Sequence, residues 1–579
     1  MYLSKLNISN FRKLKSLSLE FQKGLNVIVG ANNIGKSAVV DALRVLLTGY
    51  DGSFLRLDVD DIYKDNDSIE QASEIRFHYI FDDLSHEDEA DFLAALVHKS
   101  DNIFEAHFNV VYSFDGVSPR LRTKRWCGKH EEISISIDMI ENLKGVYLPP
   151  LRDASRGLMP GKNSQLSYLL MLLSSEESRK DVEQKLQHLD ETLREQTPIS
   201  DTQKALSKSH IEMLGQFLSQ TLELGISSTD FRNLCSRISL QADSFDIEQN
   251  GMGFNNLIYM AVVLCELAKD PSILFRGLII EEPEAHLHPQ LQAILLDYLE
   301  NIKPEKGEGH IQIFVTSHSP NFASLAKLNS ISCLINLNNN IKAVFPRNIR
   351  FEPKKLEKLE RYLDVTKAEF FFARRVIFVE GTAELMLVSI LAKQINYNLR
   401  ESGVSLISVE GLNFDSFLPL FGENNISTPV SVITDADPTN EQDDAPLYPD
   451  IEDEITISTN LEKIQKCEDK FIKIFHGLKT FEYDLALYEV NRELMLDALE
   501  TIHPQIGKQL RGIVDGVLSN ADKARELYCG MFERDKGKNN VKKGEFAQAL
   551  AQVLSDKHNN FHVPEYIAKA IKHVCEYGK

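Results

Sequence analysis

The sequence predicts an α/β protein of more than one domain, and three stretches predict it: GANNIGKS at Gly30 to Ser37, GLIIEEPEAHLHP at Gly277 to Pro289, and RRVIFVEGTAE at Arg374 to Glu384. The first follows an apolar run of strand length. The other two contain one, ended by a turn of charged or small residues. Such strand-then-turn units build parallel sheets, whose functional groups gather at the carboxyl ends of strands. At 579 residues the chain exceeds what one hydrophobic core supports, so roughly two to four domains are expected.

In chain order, GLNVIVG (Gly24 to Gly30) reads as a buried strand. SAVVDALRVLLTG (Ser37 to Gly49) reads as a helix with Val39, Leu43 and Leu46 at helical spacing and Gly49 at its end. The turn between them has the spacing G-x4-G-K-S. Gly30 and Gly35, with Asn32 and Asn33 between, let backbone N–H groups face phosphate oxygens at a helix N-terminus. Lys36 then reaches the β and γ phosphates and Ser37 holds Mg2+, so ATP is the expected ligand. Further on, the strand GLII ends in Glu281, placed to orient a magnesium water shell, and Glu282, placed to polarise an attacking water. One helix later, IQIFVTSHSP delivers His318, a candidate sensor of the γ-phosphate.

Between these motifs, Gln165 to Leu240 is rich in Leu, Glu, Lys and Gln with few glycines. It reads as helical hairpins inserted into the first domain. They serve either as a dimerising arm or as packing for their own domain.

From about residue 365 the pattern restarts with strand Val376 to Val379, helix Ala383 to Ala392, strand Ser405 to Val409, Gly411, and VSVITDAD at Val430 to Asp437. This is a second βαβ system with its own expected core. Glu380 closes its first strand and Glu384 falls in the next helical turn. Asp435 and Asp437 are expected two apart on one strand face. Four carboxylates converging at strand ends repel one another unless hard cations sit between them.

Composition narrows the class. A hydrophobic fraction of 43% with 26% charged residues is that of a globular protein, with no apolar run of spanning length. The N-terminal MYLSKLNISNFRKL lacks signal-peptide features, and seven scattered cysteines without a CxxC pair read as reduced thiols, so the cytoplasm is expected and a membrane is not. The net charge of −21 excludes coating nucleic acid by bulk electrostatics. Local basic residues such as Lys536, Lys538, Lys542 and Lys543 remain able to track a phosphate backbone.

The first set of motifs resembles the ATP-binding-cassette (ABC) ATPases of the RecF and SMC kind, to which Asn10-Phe11-Arg12 adds an N-terminal lobe signature involving Arg12. In that family the nucleotide lies between two subunits under a glycine-containing signature. The corresponding segment is QNGMGFNNLIYMAVVL (Gln249 to Leu264), with Gly251 and Gly253. No Q-loop is assigned. The order E-G-x-x-E, G, D-x-D resembles the Toprim domain, and the whole chain resembles the OLD (overcoming lysogenisation defect) nucleases. VYLPPLRDA (146 to 154), KTFEYDLA (479 to 486), KKGEFAQAL (542 to 550) and VPEYIAKAI (563 to 571) add to the likeness.

The resemblance implies an ABC-type ATPase over residues 1–164 and 241–364, the helical insertion over 165–240, and a Toprim domain with C-terminal helices over 365–579. It implies two metal ions, Mg2+ or Mn2+, with Glu380, Glu384, Asp435 and Asp437 as ligands, Glu482 as a further acid and Lys543 stabilising the transition state. The implied activity is an ATP-binding, metal-dependent DNA endonuclease of antiviral (anti-phage) defence. It would work as a homodimer or homotetramer, with a helicase or a reverse-transcriptase/noncoding-DNA system as possible partner. Two alternatives stay open: an SMC- or RecF-like DNA clamp or repair ATPase without nuclease activity, and a Toprim topoisomerase, which requires a tyrosine nucleophile that no local context here marks.

Overall fold

The alternation in EIRFHYIFD, which buries Ile75, Phe77, Tyr79 and Phe81 and turns the residues between outward, is that of a strand with one face on a core. It belongs to an antiparallel sheet in a computed structural model that describes residues 1–49, 55–64, 72–100, 103–115, 120–150, 157–162, 164–270, 273–306, 308–337, 340–352, 354–438, 447–534, 540–556 and 561–578. The sheet runs Leu14–Glu20, Tyr2–Phe11, Glu74–Asp82, Ile103–Ser113, Leu96–Ser100, with Arg122–Cys127 also paired to Ile103–Ser113. Residues 151 to 154 of the VYLPPLRDA segment, and Lys536 and Lys538, lie outside the described residues.

A second sheet carries the nucleotide motifs. Its order is Asn340–Val344, Ile331–Leu337, Leu25–Gly30, Ile311–Thr316, Phe275–Glu281, Leu143–Leu148, parallel throughout except for the hairpin at its first edge. LNVIVG, FRGLII and IQIFVT are buried on both faces, which is why they read as continuous apolar runs. The third sheet is parallel, in the order Val404–Ser408, Arg375–Val379, Val430–Thr434, Ile472–His476.

Three cores follow. One lies between the antiparallel sheet, the helix Lys36–Leu47 and one face of the nucleotide sheet, joining Phe77, Phe81, Leu43, Ile279 and Phe314. A second fills the opposite face of that sheet with Val27, Val29, Leu278 and Val315. It then continues without a break through Phe370 and Phe371 to Phe378, Val432 and Ile474 of the third sheet. The third core packs Ile377, Val379 and Ile433 against the C-terminal helices. The expectation of a separate core for the second βαβ system therefore holds on one face only. Alternating residues of the strand Arg375–Val379 point into different cores, and the inner one is shared with the ATPase.

The inserted region forms helices Gln165–Leu173, Glu176–Glu195, Thr197–Leu214 and Phe231–Cys235. Gly215, at φ 75°, ends the third of these, and the segment to 230 is not helical. Large apolar side chains stand exposed along it, among them Leu206, Ile211, Met213, Phe217 and Leu218. Among the described residues no helix is long and apolar enough to cross a membrane.

Candidate nucleotide and carboxylate sites

The loop between Gly30 and Ser37 wraps the start of its helix as the motif requires. Gly35 sits at φ 99° and caps the helix, and a Cβ there would stand 2.9 Å from the Leu14 side chain. A cleft of about 260 Å³ opens beside it, lined by Arg12, Lys13, Asn33, Gly35, Lys36, Ser37, Ala38 and His318. Asn32 is exposed next to it. Lys36 is buried and donates to the carbonyls of Gly30 and, at 2.9 Å, Ala31. Burial pushes its ammonium down to about 8. A triphosphate would restore the lost stabilisation.

Arg12, at φ 50°, is held by Asp61 and Asp41, each at 2.7 Å. Asp41 also receives Arg44 at 2.8 Å, and the Arg44 guanidinium lies 4.0 Å above the Tyr147 ring. The Tyr147 hydroxyl donates to Glu281 Oε2 at 2.8 Å, while Ser37 Oγ donates to Glu281 Oε1 at 2.7 Å. Ser37 and Glu281, the two residues expected at the magnesium ion, are thus already in contact. Glu282 follows at φ 47°, with its Oε1 3.5 Å from His318 Nε2. Glu284, a third acid that sequence reasoning left unused, accepts from Ser317 Oγ at 2.7 Å and from the His318 N–H at 2.9 Å, fixing the histidine turn. Burial raises the Glu284 carboxyl and lowers the His318 imidazole, which also faces Lys36.

Gly251 and Gly253 do not reach this cleft. Gly251 caps the helix Met252–Lys269 in the open, whereas a Cβ on Gly253 would come within 2.6 Å of the His286 carbonyl. Met252 and Phe254 beside them are 65% and 54% exposed, so this helix start offers an uncovered apolar face.

The second site forms at the carboxyl ends of the third sheet. Glu380 follows the strand Arg375–Val379, and its Oε1 accepts from Thr434 Oγ1 and, at 2.8 Å, from the Asp435 N–H. Glu384 lies in the first turn of the helix Thr382–Gln394, and its Oε2 accepts the Gly381 N–H at 3.1 Å. Asp435 Oδ1 accepts the Phe481 N–H at 2.8 Å, and Glu482 Oε2 accepts from Lys543 Nζ at 2.7 Å. One oxygen of each acid is tied by the protein in this way. The other finds no protein hydrogen-bond donor among the described residues and is left for another partner.

The charges act on one another. Burial, then Glu482 and Glu380, pushes the Glu384 carboxyl up to about 7. Burial, then Glu380, Glu482 and Glu384, holds Asp435 well above the usual carboxylate range, and burial also raises Glu380. Burial works to lower the Lys543 ammonium, but Glu482 and Asp435 outweigh it and keep that lysine above its ordinary value. One lysine does not balance these acids, and the positive charge still missing is what hard cations supply. Among the described residues no three His, Cys, Asp or Glu side chains close on one point. Magnesium is commonly held by one or two carboxylates plus waters and substrate phosphates, so a more open set of oriented acids fits it.

Asp437 differs from expectation. The strand ends at Thr434, so Asp435 and Asp437 do not share a strand face. Asp437 is exposed in left-handed backbone at φ 43°, and its N–H and that of Ala436 both donate to the Lys479 carbonyl. It still adds negative charge beside Glu380. Glu482 is only 2% exposed, unlike the solvated acids common on short helices, and Asp484 is buried too. Asp484 takes the N–H groups of Leu478 and Lys479 at 3.0 and 3.1 Å, with burial pushing it to about 7. Sequence reasoning missed Thr434, Glu284 and Tyr147. Their signal was a polar residue set within or just after an otherwise apolar strand end.

The first part of the chain matches the AAA ATPase domain family over residues 1–115 and 146–323. Residues 371–437 match the overcoming lysogenization defect protein-like TOPRIM domain. The chain is 21% identical over 372 residues to endonuclease GajA of Bacillus cereus strain HuB5-5, covering 56% of this chain and 52% of that protein. It thus spans about half the length of that relative. It is 22% identical over 424 residues to the OLD nuclease of Thermus scotoductus, covering 71% and 77% of the two chains. A solved C-terminal region of the Burkholderia pseudomallei OLD protein aligns at 22% identity and a TM-score of 0.26 over 35% of this chain and 98% of that one. With the AAA ATPase match over residues 1–115 and 146–323 taking in about half of the chain, and the TOPRIM match over 371–437 taking in three strands of the carboxylate sheet, the chain belongs to the AAA ATPase-domain family and joins to it a TOPRIM domain of the OLD type.

Proposed function

We propose that the protein is an ATP-binding, divalent-metal-dependent DNA endonuclease whose phosphodiester chemistry occurs at Glu380, Glu384, Asp435 and Glu482. The observation that carries this reading is the division of labour within each acid, one oxygen fixed by a protein donor and the other left over. The names of the GajA and OLD relatives point the same way.

Glu380, Glu384 and Asp435 would hold Mg2+ or Mn2+, with exposed Asp437 reaching in from the next turn. When bound, the cations supply a water of lowered pKa and a Lewis acid for the leaving oxygen. The chain's own residues do the rest. Thr434 and the N–H groups of Gly381, Asp435 and Phe481 orient the carboxylates. Lys543, half-exposed beside Glu482, offers a cation to the charge that develops on the phosphate. In the first half, Lys36 and the loop N–H groups cradle ATP, Ser37 and Glu281 hold its magnesium, and Glu282 with His318 face the γ-phosphate.

Gly251 and Gly253 lie away from this cleft with apolar neighbours uncovered, so a second copy would complete the nucleotide site. A homodimer is the smallest assembly proposed, and the exposed apolar residues of the inserted helices are suited to enlarging it to a tetramer. Seven free cysteines suit the cytoplasm. Anti-phage defence, alone or with a helicase or reverse-transcriptase partner, is the proposed role.

The test incubates supercoiled and linear DNA with the protein and Mn2+ or Mg2+, with and without ATP. Asp435→Ala should lose nicking while ATP hydrolysis persists, and cutting retained by that variant would remove the site. Lys36→Ala should bind ATP far more weakly, and unchanged affinity would remove the nucleotide assignment.

A further inference from the structure

Lys36, Lys144, Lys367 and Lys479 are buried among the described residues. Three of them have oxygen partners: loop carbonyls for Lys36, Glu266 at 3.0 Å for Lys144, Glu410 at 2.9 Å for Lys367. Lys479 has rings instead. Its Nζ lies 4.2 Å from the centroid of Tyr448 and 5.9 Å from that of Tyr528. No carboxylate comes within ion-pair distance of it among the described residues. The side chain is largely buried along the rings while its ammonium keeps contact with solvent, and cation–π contacts leave it free to take an anion as well.

The position of this lysine gives it a use. Its carbonyl takes the N–H groups of Ala436 and Asp437 at 3.1 and 3.2 Å, and Phe481, two residues on, donates to Asp435. Lys479 therefore belongs to the turn that clamps the carboxylate loop. Tyr448 carries a second cation, with the exposed Arg525 guanidinium 5.4 Å from the ring, and Tyr528 senses the charge of Lys543. In a chain of net charge −21, Lys479 and Arg525 share the Tyr448 ring, and Tyr528, the second ring against Lys479, lies near Lys543, which pairs with Glu482 of the carboxylate cluster. Lys36 offers a partial parallel at the other site: a lysine held by loop carbonyls rather than by a carboxylate, in a loop built for an incoming phosphate.

We propose that Lys479, held on Tyr448 with Arg525 beside it, docks a DNA backbone phosphate flanking the scissile one. The proposal rests on the nuclease reading above. Its test compares full-length wild type, Lys479→Met and Lys479→Arg for binding of a short labelled duplex without divalent metal, across a salt series. Lys479→Met should bind about tenfold more weakly and flatten the log K against log salt plot by about 0.9, the loss of one phosphate contact. Lys479→Arg should restore both, and ATP hydrolysis should not change. If Lys479→Met melts early, Tyr448→Leu, which leaves the turn intact, should show the same weakening. Equal affinity and slope in the Met variant, even with cutting lost, would make Lys479 a framework residue and overturn the proposal while the nuclease reading stands. A wild type that neither binds nor cuts DNA would remove both.

Discussion

Tyr147 illustrates how much a single hydroxyl can decide. It ties Glu281 Oε2 while Ser37 ties Oε1, and Arg44 stacked on the ring keeps it in place. Burial and the neighbouring Glu281 raise the phenol above its ordinary pKa, so it remains a donor at any working pH. Tyr147→Phe keeps the ring and removes the bond. A hydrogen bond to a charged group is worth roughly 1.5–3 kcal/mol, so ATP hydrolysis should slow by about tenfold or more. ATP binding should survive, and the magnesium concentration needed for half-maximal rate should rise. An unchanged rate at limiting magnesium would show that Glu281 orients itself.

At the scale of elements, the antiparallel sheet holds a histidine pair, His78 Nε2 lying 3.1 Å from His107 Nδ1 across neighbouring strands. Burial, then His107, pushes His78 down to about 4, and burial lowers His107 against the pull of Glu105. Folded His78 therefore takes its proton only at low pH, whereas an unfolded histidine takes it near about 6.5. The stability is complete above that value and drains away as pH falls toward about 4. Discounted for partial exposure, the loss between pH 7 and 5 should be on the order of 1 kcal/mol. Urea midpoints at those two pH values should differ in the wild type and converge in His78→Gln. Equal pH slopes for both proteins would remove the pair from the account.

For the whole molecule the central fact is the shared core. The helix Pro320–Leu325 begins two residues after His318 and packs on the turn Lys367–Phe371, which leads into the strand Arg375–Val379 that Glu380 follows. Phe370 meets Phe371, Phe417 and Phe421 with ring centroids 4.3 to 6.4 Å apart. Phe370→Ala should cost about 3–5 kcal/mol. Because one cluster backs both sheets, nucleotide binding and the proposed DNA cutting should disappear together along a urea series. Loss of only one of them would mean that the halves unfold independently.

Much of this was legible in the sequence, because a strand followed by a turn and a helix is encoded within a dozen or so neighbouring residues. GANNIGKS, the pair Glu281 and Glu282, His318, Glu380 and Glu384 all sit where local pattern put them. Asp437 did not: the expected strand ran through Asp437, the folded one stops at Thr434, and nothing local marks Thr434 as its last residue. Other features required the folded chain. Glu482 and Lys543 are 61 residues apart; the family resemblance assigned both to the site, but their contact with each other depends on how the C-terminal helices pack on the third sheet. Only that packing leaves Lys479 among rings rather than carboxylates. Periodicity tells which face of an element is apolar, but it cannot tell which distant element covers that face, because that choice is made by contacts between residues far apart in the chain. For the same reason the restart of the strand-and-helix pattern near residue 365 could be read from the motifs, whereas the core shared by the second and third sheets could not.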